Sequence, residues 1–141
     1  MYEKILLTTD GSEGSENAAK HALVIARKFN SMIYVLSVME TRPTSGLTTE
    51  VLRKESDVAL ENISQIFKDL EKDTSFTTEI EKSYMIKEGS ASQQILKTAE
   101  EENIDMIVMG ASGKHRLERF ILGSVAEKVV RGAKCPVLTV H

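Results

Sequence analysis

IDMIVMGASGKHRLERFILGS, residues 104–124, decides how the rest of the chain is read. An apolar run broken only by Asp105 ends in Gly110. Ala111 and Ser112 separate it from Gly113, a basic run follows in Lys114, Arg116 and Arg119, and Gly123-Ser124 closes the stretch. The apolar run is a strand over 104–109, and Ser124-Val125-Ala126-Glu127 has the capping-box pattern that opens a helix. Between them lies a loop with small residues at both ends. Small residues let backbone approach a ligand with no Cβ in the way, and free N–H groups at a helix start attract anions. Each residue also has an ordinary use: glycines turn the chain, Ser124 caps its own helix, and the cations are solvated. Taken together, after a strand, they favour a phosphate.

The flanks read as strands alternating with helices. KILLTT (4–9) is continuously apolar, which predicts a strand covered on both faces, and it ends at Asp10-Gly11. Ala18, Ala19, Ala22, Leu23, Ala26 and Phe29 recur at helical spacing, with Ser12 or Ser15 as the cap. MIYVLSV (32–38) is a second strand rich in β-branched and aromatic residues. The proline-containing stretch 41–46 reads as a loop, and with the residues to 50 as a mobile lid. Leu52, Ala59, Ile63, Ile66, Phe67 and Leu70 form the apolar stripe of a helix over 47–73. TTEIEKSYMI (77–86) alternates imperfectly and predicts an edge strand. Ser90 to Gln93 form another capping box, opening a helix to residue 102. The helix opened at Ser124 runs to Arg131 and stops at Gly132. PVLTV (136–140) is the last strand.

This order, βαβαβαβαβ, predicts an α/β fold: one doubly wound, five-stranded parallel sheet with helices on both faces. With strand order 3-2-1-4-5, the loops after strands one and four meet at the reversal, where such sheets bind ligands. The 141 residues are one ordinary domain, and 41% hydrophobic residues suffice for a real core. A net charge of −3 gives no footprint for nucleic acid. No stretch approaches the length of a membrane span, and the apolar run at the N-terminus is too short for a signal peptide, so the expected location is the cytoplasm. Cys135 is the sole cysteine and reads as a small packed residue. His21, His115 and His141 fall in separate segments without metal-ligand spacing. No protein-borne metal site or Ser-His-Asp arrangement is legible, and no catalytic residue is assigned.

The Walker A loop is excluded, because Val108 stands where its first glycine belongs and His115 where its Ser/Thr belongs. Gly110-Ala111-Ser112 also lacks the G-x-G of a dinucleotide fingerprint. What remains is G-2x-G-9x-G-S. That spacing, with KILLTTDGSEGS at the start and KCPVLTV at the end, resembles the universal stress proteins over essentially the full length. Within that family it is similar to the ATP-binding branch, whose fold is adenine nucleotide alpha hydrolase-like. The resemblance implies one universal stress protein domain over 1–141, binding ATP and acting as a nucleotide-dependent regulator. Asp10 would meet the ribose hydroxyls or sit near a magnesium ion. The Val38 backbone would read the adenine edge, and Gly110 would lie against the ribose. Gly113, Gly123 and Ser124 would hold phosphates. Magnesium would be bound chiefly by phosphate oxygens, since it needs few protein ligands. The family also implies a homodimer through the C-terminal strand, and a regulator implies a downstream protein partner whose identity is unknown. Two alternatives stay open: a slow ATPase or phosphotransferase on the same fold, and a dimeric interaction protein whose glycines serve only turns.

Overall fold

The computed structural model describes residues 1–41, 46–72, 79–112 and 121–141. The elements run β1 (Lys4–Thr8), α1 (Glu13–Phe29), β2 (Met32–Met39), α2 (Thr49–Glu71), β3 (Lys82–Glu88), α3 (Ala91–Glu101), β4 (Met106–Gly110), α4 (Ser124–Gly132) and β5 (Val137–Val140). All strand pairs are parallel, in the order β3-β2-β1-β4-β5. The expected doubly wound sheet is therefore the observed one.

β1 is central, and its continuous apolarity has the expected cause. Ile5 and Leu7 point into a core built with α1 and α2, where they meet Ala22, Ile63 and Phe67. Leu6 points the other way, into a core with Ile95 of α3 and Val129 of α4. All three strand residues have no exposed surface. Fully burying each such side chain contributes about 1.5–3 kcal/mol. Polar substitution at any of them would break one core or the other.

α1 is capped by Ser12, whose hydroxyl accepts from the Ser15 N–H, and it ends at Asn30 in the left-handed region (φ 55°). Its stripe from Ala18 to Ala26 is buried as expected, but Phe29 is 44% exposed. Phe29 is the last residue of α1 and packs edge-on against Tyr2, with ring centroids 5.2 Å apart. In α2, Ala59, Ile63 and Phe67 are buried, whereas Leu70 is 37% exposed near the helix end.

Two expected boundaries are corrected. The third strand was expected over 77–86, yet it begins at Lys82, opposite Ile33, and extends to Glu88, opposite Met39. Its ladder with β2 sets these limits: Ile33 N–H donates to the Glu81 carbonyl at 2.9 Å. Ile80 is buried, but as the approach to the strand. The fourth strand starts at Met106, not at residue 104, because Ile104 N–H still closes the end of α3 through the Ala99 carbonyl at 2.9 Å.

Thr98 of α3 is fully buried, and its hydroxyl has no hydrogen-bond partner among the described residues. A buried polar group without a partner costs its desolvation. Thr98→Val should therefore stabilise the protein by about 1–2 kcal/mol. Urea unfolding of the two forms measures this, and an unchanged or lowered midpoint would show that the hydroxyl is satisfied in solution.

Candidate functional site

β1 and β4 are neighbours at the reversal of strand order, so their carboxyl ends open onto one crevice. Asp10 leaves the end of β1 and is exposed. Its Oδ1 accepts from the Ser12 N–H at 2.9 Å, an Asx turn that holds the carboxylate beside the start of α1. Gly11 follows with φ 82°, a conformation that favours glycine.

Val38 lies on the neighbouring strand. The Leu36 carbonyl accepts from Thr9 at 2.9 Å, while the Met39 carbonyl accepts from Gly89 on the β3 side at 3.0 Å. Backbone groups alternate sides along a strand, so Val38 faces the β1 side, as Leu36 does. β1 stops at Thr8, opposite Leu36. The N–H and C=O of Val38 therefore project past its end into the crevice. They can recognise a planar donor-acceptor edge.

Gly110 ends β4, and its reason for being glycine is visible within the protein. A Cβ there would stand 3.0 Å from the Gly14 carbonyl carbon and 3.0 Å from the Ser15 nitrogen. The first turn of α1 thus rests directly on the end of β4. Ala111 N–H donates to the Val140 carbonyl at 2.8 Å, which ties the start of the glycine loop to the end of β5.

The far end of the loop folds back onto its start. Gly123 N–H donates to the Ala111 carbonyl at 2.6 Å. A Cβ on Gly123 would lie 3.1 Å from that carbonyl oxygen and 3.2 Å from the Ser112 Cα. The expected role of Ser124 as cap is corrected: Gly123 is the N-cap, and Ser124 is the first helical residue. Glu127 completes no capping box. Its carboxylate pairs with Arg131 at 3.1 Å, and its N–H donates to the Gly123 carbonyl at 2.8 Å. Gly123 has no side chain with which to cap this end of α4. Because the Gly123 N–H is committed to Ala111, the donors facing outward at this end begin with Ser124.

Asp10, Val38, Gly110, Gly123 and Ser124 thus gather at the carboxyl ends of β2, β1 and β4. Gly113 lies outside the described residues, as do Lys114, His115, Arg116, Arg119 and the core of the expected lid, 42–45. Among the described residues, no group of three or more His, Cys, Asp or Glu could hold a metal ion. Cys135 is half-buried, and burial pushes its thiol up, so it is poorly suited to act as a nucleophile at neutral pH. A cavity of about 760 Å³ opens at the opposite end of the sheet, but Glu3, Glu79 and Glu81 outweigh Lys82 in its lining and disfavour an anion.

Sequence reasoning missed Gly14 and Thr9 and read Ser15 only as a possible helix cap, yet all three shape this end of the molecule. Gly14 carried a signal: glycine inside a helical turn costs about 1 kcal/mol relative to alanine, which asks for a packing reason.

A sequence profile of the Universal stress protein family matches residues 1–141. The universal stress protein MJ0531 of Methanocaldococcus jannaschii is 38% identical, over 99% of this chain and 82% of its own length. The solved structure of MJ0577, a universal stress protein of the same organism, superposes with a TM-score of 0.76 at 33% identity, covering 99% of this chain and 96% of that one. A universal stress protein solved in complex with cAMP superposes at 0.66 with 26% identity, covering 99% and 97%.

Gly110→Ala tests the close approach. Its new methyl group meets backbone atoms, so the helix turn must move by a few tenths of an ångström. The expected loss is about 1–3 kcal/mol in denaturant unfolding without any ligand. Wild-type stability would show that the turn yields freely.

Proposed function

Since the chain belongs to the universal stress protein family, we propose that it binds ATP in the crevice at the ends of β2, β1 and β4 and acts as a nucleotide-dependent regulatory module in the cytoplasm. Residues 1–141 then form one universal stress protein domain. The observation that carries this reading is the closure of the glycine loop, in which the Gly123 N–H bonds the Ala111 carbonyl. It sets the start of α4 beside the end of β4, where backbone can approach a phosphate chain. The relative solved with cAMP supports an adenine nucleotide as the ligand class.

In this reading the Val38 backbone meets the adenine edge and Asp10 meets the ribose hydroxyls. Gly110 lies against the sugar. Gly113, Gly123 and Ser124 surround the phosphates, with Ser124 contributing its hydroxyl and N–H. A magnesium ion rides on the phosphates. In this reading Asp10 is occupied by the ribose hydroxyls and Glu127 by Arg131 at 3.1 Å, so neither is assigned as a general base. Binding, not turnover, is the proposed activity.

MgATP should raise thermal stability. At a concentration ~100 times the dissociation constant the gain is about 2.7 kcal/mol. Asp10→Ala should keep part of the gain, and Gly123→Val should lose most of it, along with some intrinsic stability. Thermal scans with and without MgATP measure both. A wild type that shows no shift at millimolar MgATP would overturn the reading.

We also propose a homodimer paired through β5. The two sheet edges differ: β3 carries Lys82 and Lys87, whereas Val137–Val140 carries no charge. Charged residues guard an edge against pairing, and an uncharged apolar edge invites it. Sedimentation should give a dimer for the wild type and a monomer for Val137→Lys/Val140→Lys. A wild type that stays monomeric at high concentration would refute the pairing.

A further inference from the structure

A closed set of hydrogen bonds surrounds Asp10, and it has more members than helix capping requires. Ser12 alone caps α1. Ser15, one turn further, is only 2% exposed, and Thr9 is only 5% exposed. Their hydroxyl oxygens lie 3.1 Å apart. The direction of each bond follows from the partners. The Ser15 hydroxyl lies 2.7 Å from the Ser12 carbonyl, which can only accept, so its single proton goes there. The Thr9 hydroxyl must then donate to Ser15, and it accepts from the Gly11 N–H at 3.2 Å. The Ser15 N–H returns to the Ser12 hydroxyl at 3.2 Å, and the Ser12 N–H holds the Asp10 carboxylate at 2.9 Å.

Both chain neighbours of Asp10 are therefore pinned by buried hydroxyls. Thr9 is also anchored to β2 through its N–H and the Leu36 carbonyl, at 2.9 Å. An exposed carboxylate on a free turn would sample many positions, and ordering it on ligand binding would cost affinity. Here the turn is already ordered from within the core.

We propose that Ser15 and Thr9 are positioning residues that aim the Asp10 carboxylate at the sugar hydroxyls of the nucleotide. The inference rests on the reading of Asp10 as the ribose-binding residue. It predicts a selective defect. Losing either buried hydroxyl should weaken recognition of the sugar hydroxyls, while the rest of the nucleotide is held as before.

The test compares ATP with 2′,3′-dideoxyATP, both with magnesium, by titration calorimetry. Wild type should prefer ATP by about tenfold or more, the value of a hydrogen bond to a charged group. Ser15→Ala and Thr9→Val should each cut that preference by at least about threefold, with dideoxyATP affinity nearly unchanged. Thr9→Ser retains the hydroxyl and should keep the wild-type preference. Asp10→Ala should abolish the preference, and adding Ser15→Ala should cost nothing more, because the two act through one contact. If Ser15→Ala and Thr9→Val keep the wild-type preference, or weaken both nucleotides equally, the positioning role is refuted while nucleotide binding stands. A wild type that binds neither nucleotide, or an Asp10→Ala variant with undiminished preference, overturns the underlying site and this inference with it.

Discussion

The first turn of α1 lies on the end of β4 with no side chain between them. A Cβ on Gly14 would already touch the Gly110 Cα at 3.7 Å, and one on Gly110 would press on Gly14 and Ser15 at 3.0 Å. Much of the crevice depends on this contact. It brings the Asp10 turn, which belongs to β1 and α1, against the glycine loop, which belongs to β4 and α4. The Val140 carbonyl lies 3.7 Å from the same Gly14 position and accepts from Ala111, so the end of β5 joins the contact.

The fold was legible because β1 is buried on both faces. A strand covered by helices on each side must be apolar at every position, and KILLT, followed by an amphipathic helix, has few other readings. The glycine spacing around 110–124 was legible as a pattern, but it was read as room for a ligand, whereas at Gly110 and Gly123 the structure shows backbone packed on backbone. Boundaries set by distant partners were not. Lys82 begins β3 because Ile33 stands opposite it, and nothing within 77–86 encodes that register. The cap of α4 fell to Gly123 and not Ser124 because the Gly123 N–H is drawn to Ala111, across a loop whose closure no local pattern announces. Phe29 fits the helical stripe by spacing, yet as the last residue of α1 it stays exposed and meets only the edge-on ring of Tyr2 among aromatic partners in the described residues. The hydroxyl ring at Thr9 and Ser15 is hidden for a further reason: serine and threonine near a helix start ordinarily signify capping.

The helices that begin at this end of the sheet do not offer equivalent anion sites. A helix start presents partial positive charge and unpaired N–H groups, which nearby carboxylates can satisfy. α3 begins with its Ala91 N–H bound to the Glu40 carboxylate at 3.1 Å, so the protein supplies its own anion there. α1 begins with the Ser12 cap, with Glu13 and Glu16 in its first turn. α4 begins at Gly123, which contributes no side chain, and its one first-turn acid, Glu127, is drawn to Arg131 at 3.1 Å. Among the described residues, the start of α4 is thus the helix end in this crevice least compensated by the protein. It is also the one that the Gly123–Ala111 bond sets beside β4. Asp10 at the start of α1 carries the opposite charge and suits hydroxyl donors instead. Among the described residues the crevice therefore has a carboxylate at the β1 side and a helix start at the β4 side, the polarity that the proposed reading asks of a site for a ligand with hydroxyls at one end and phosphates at the other.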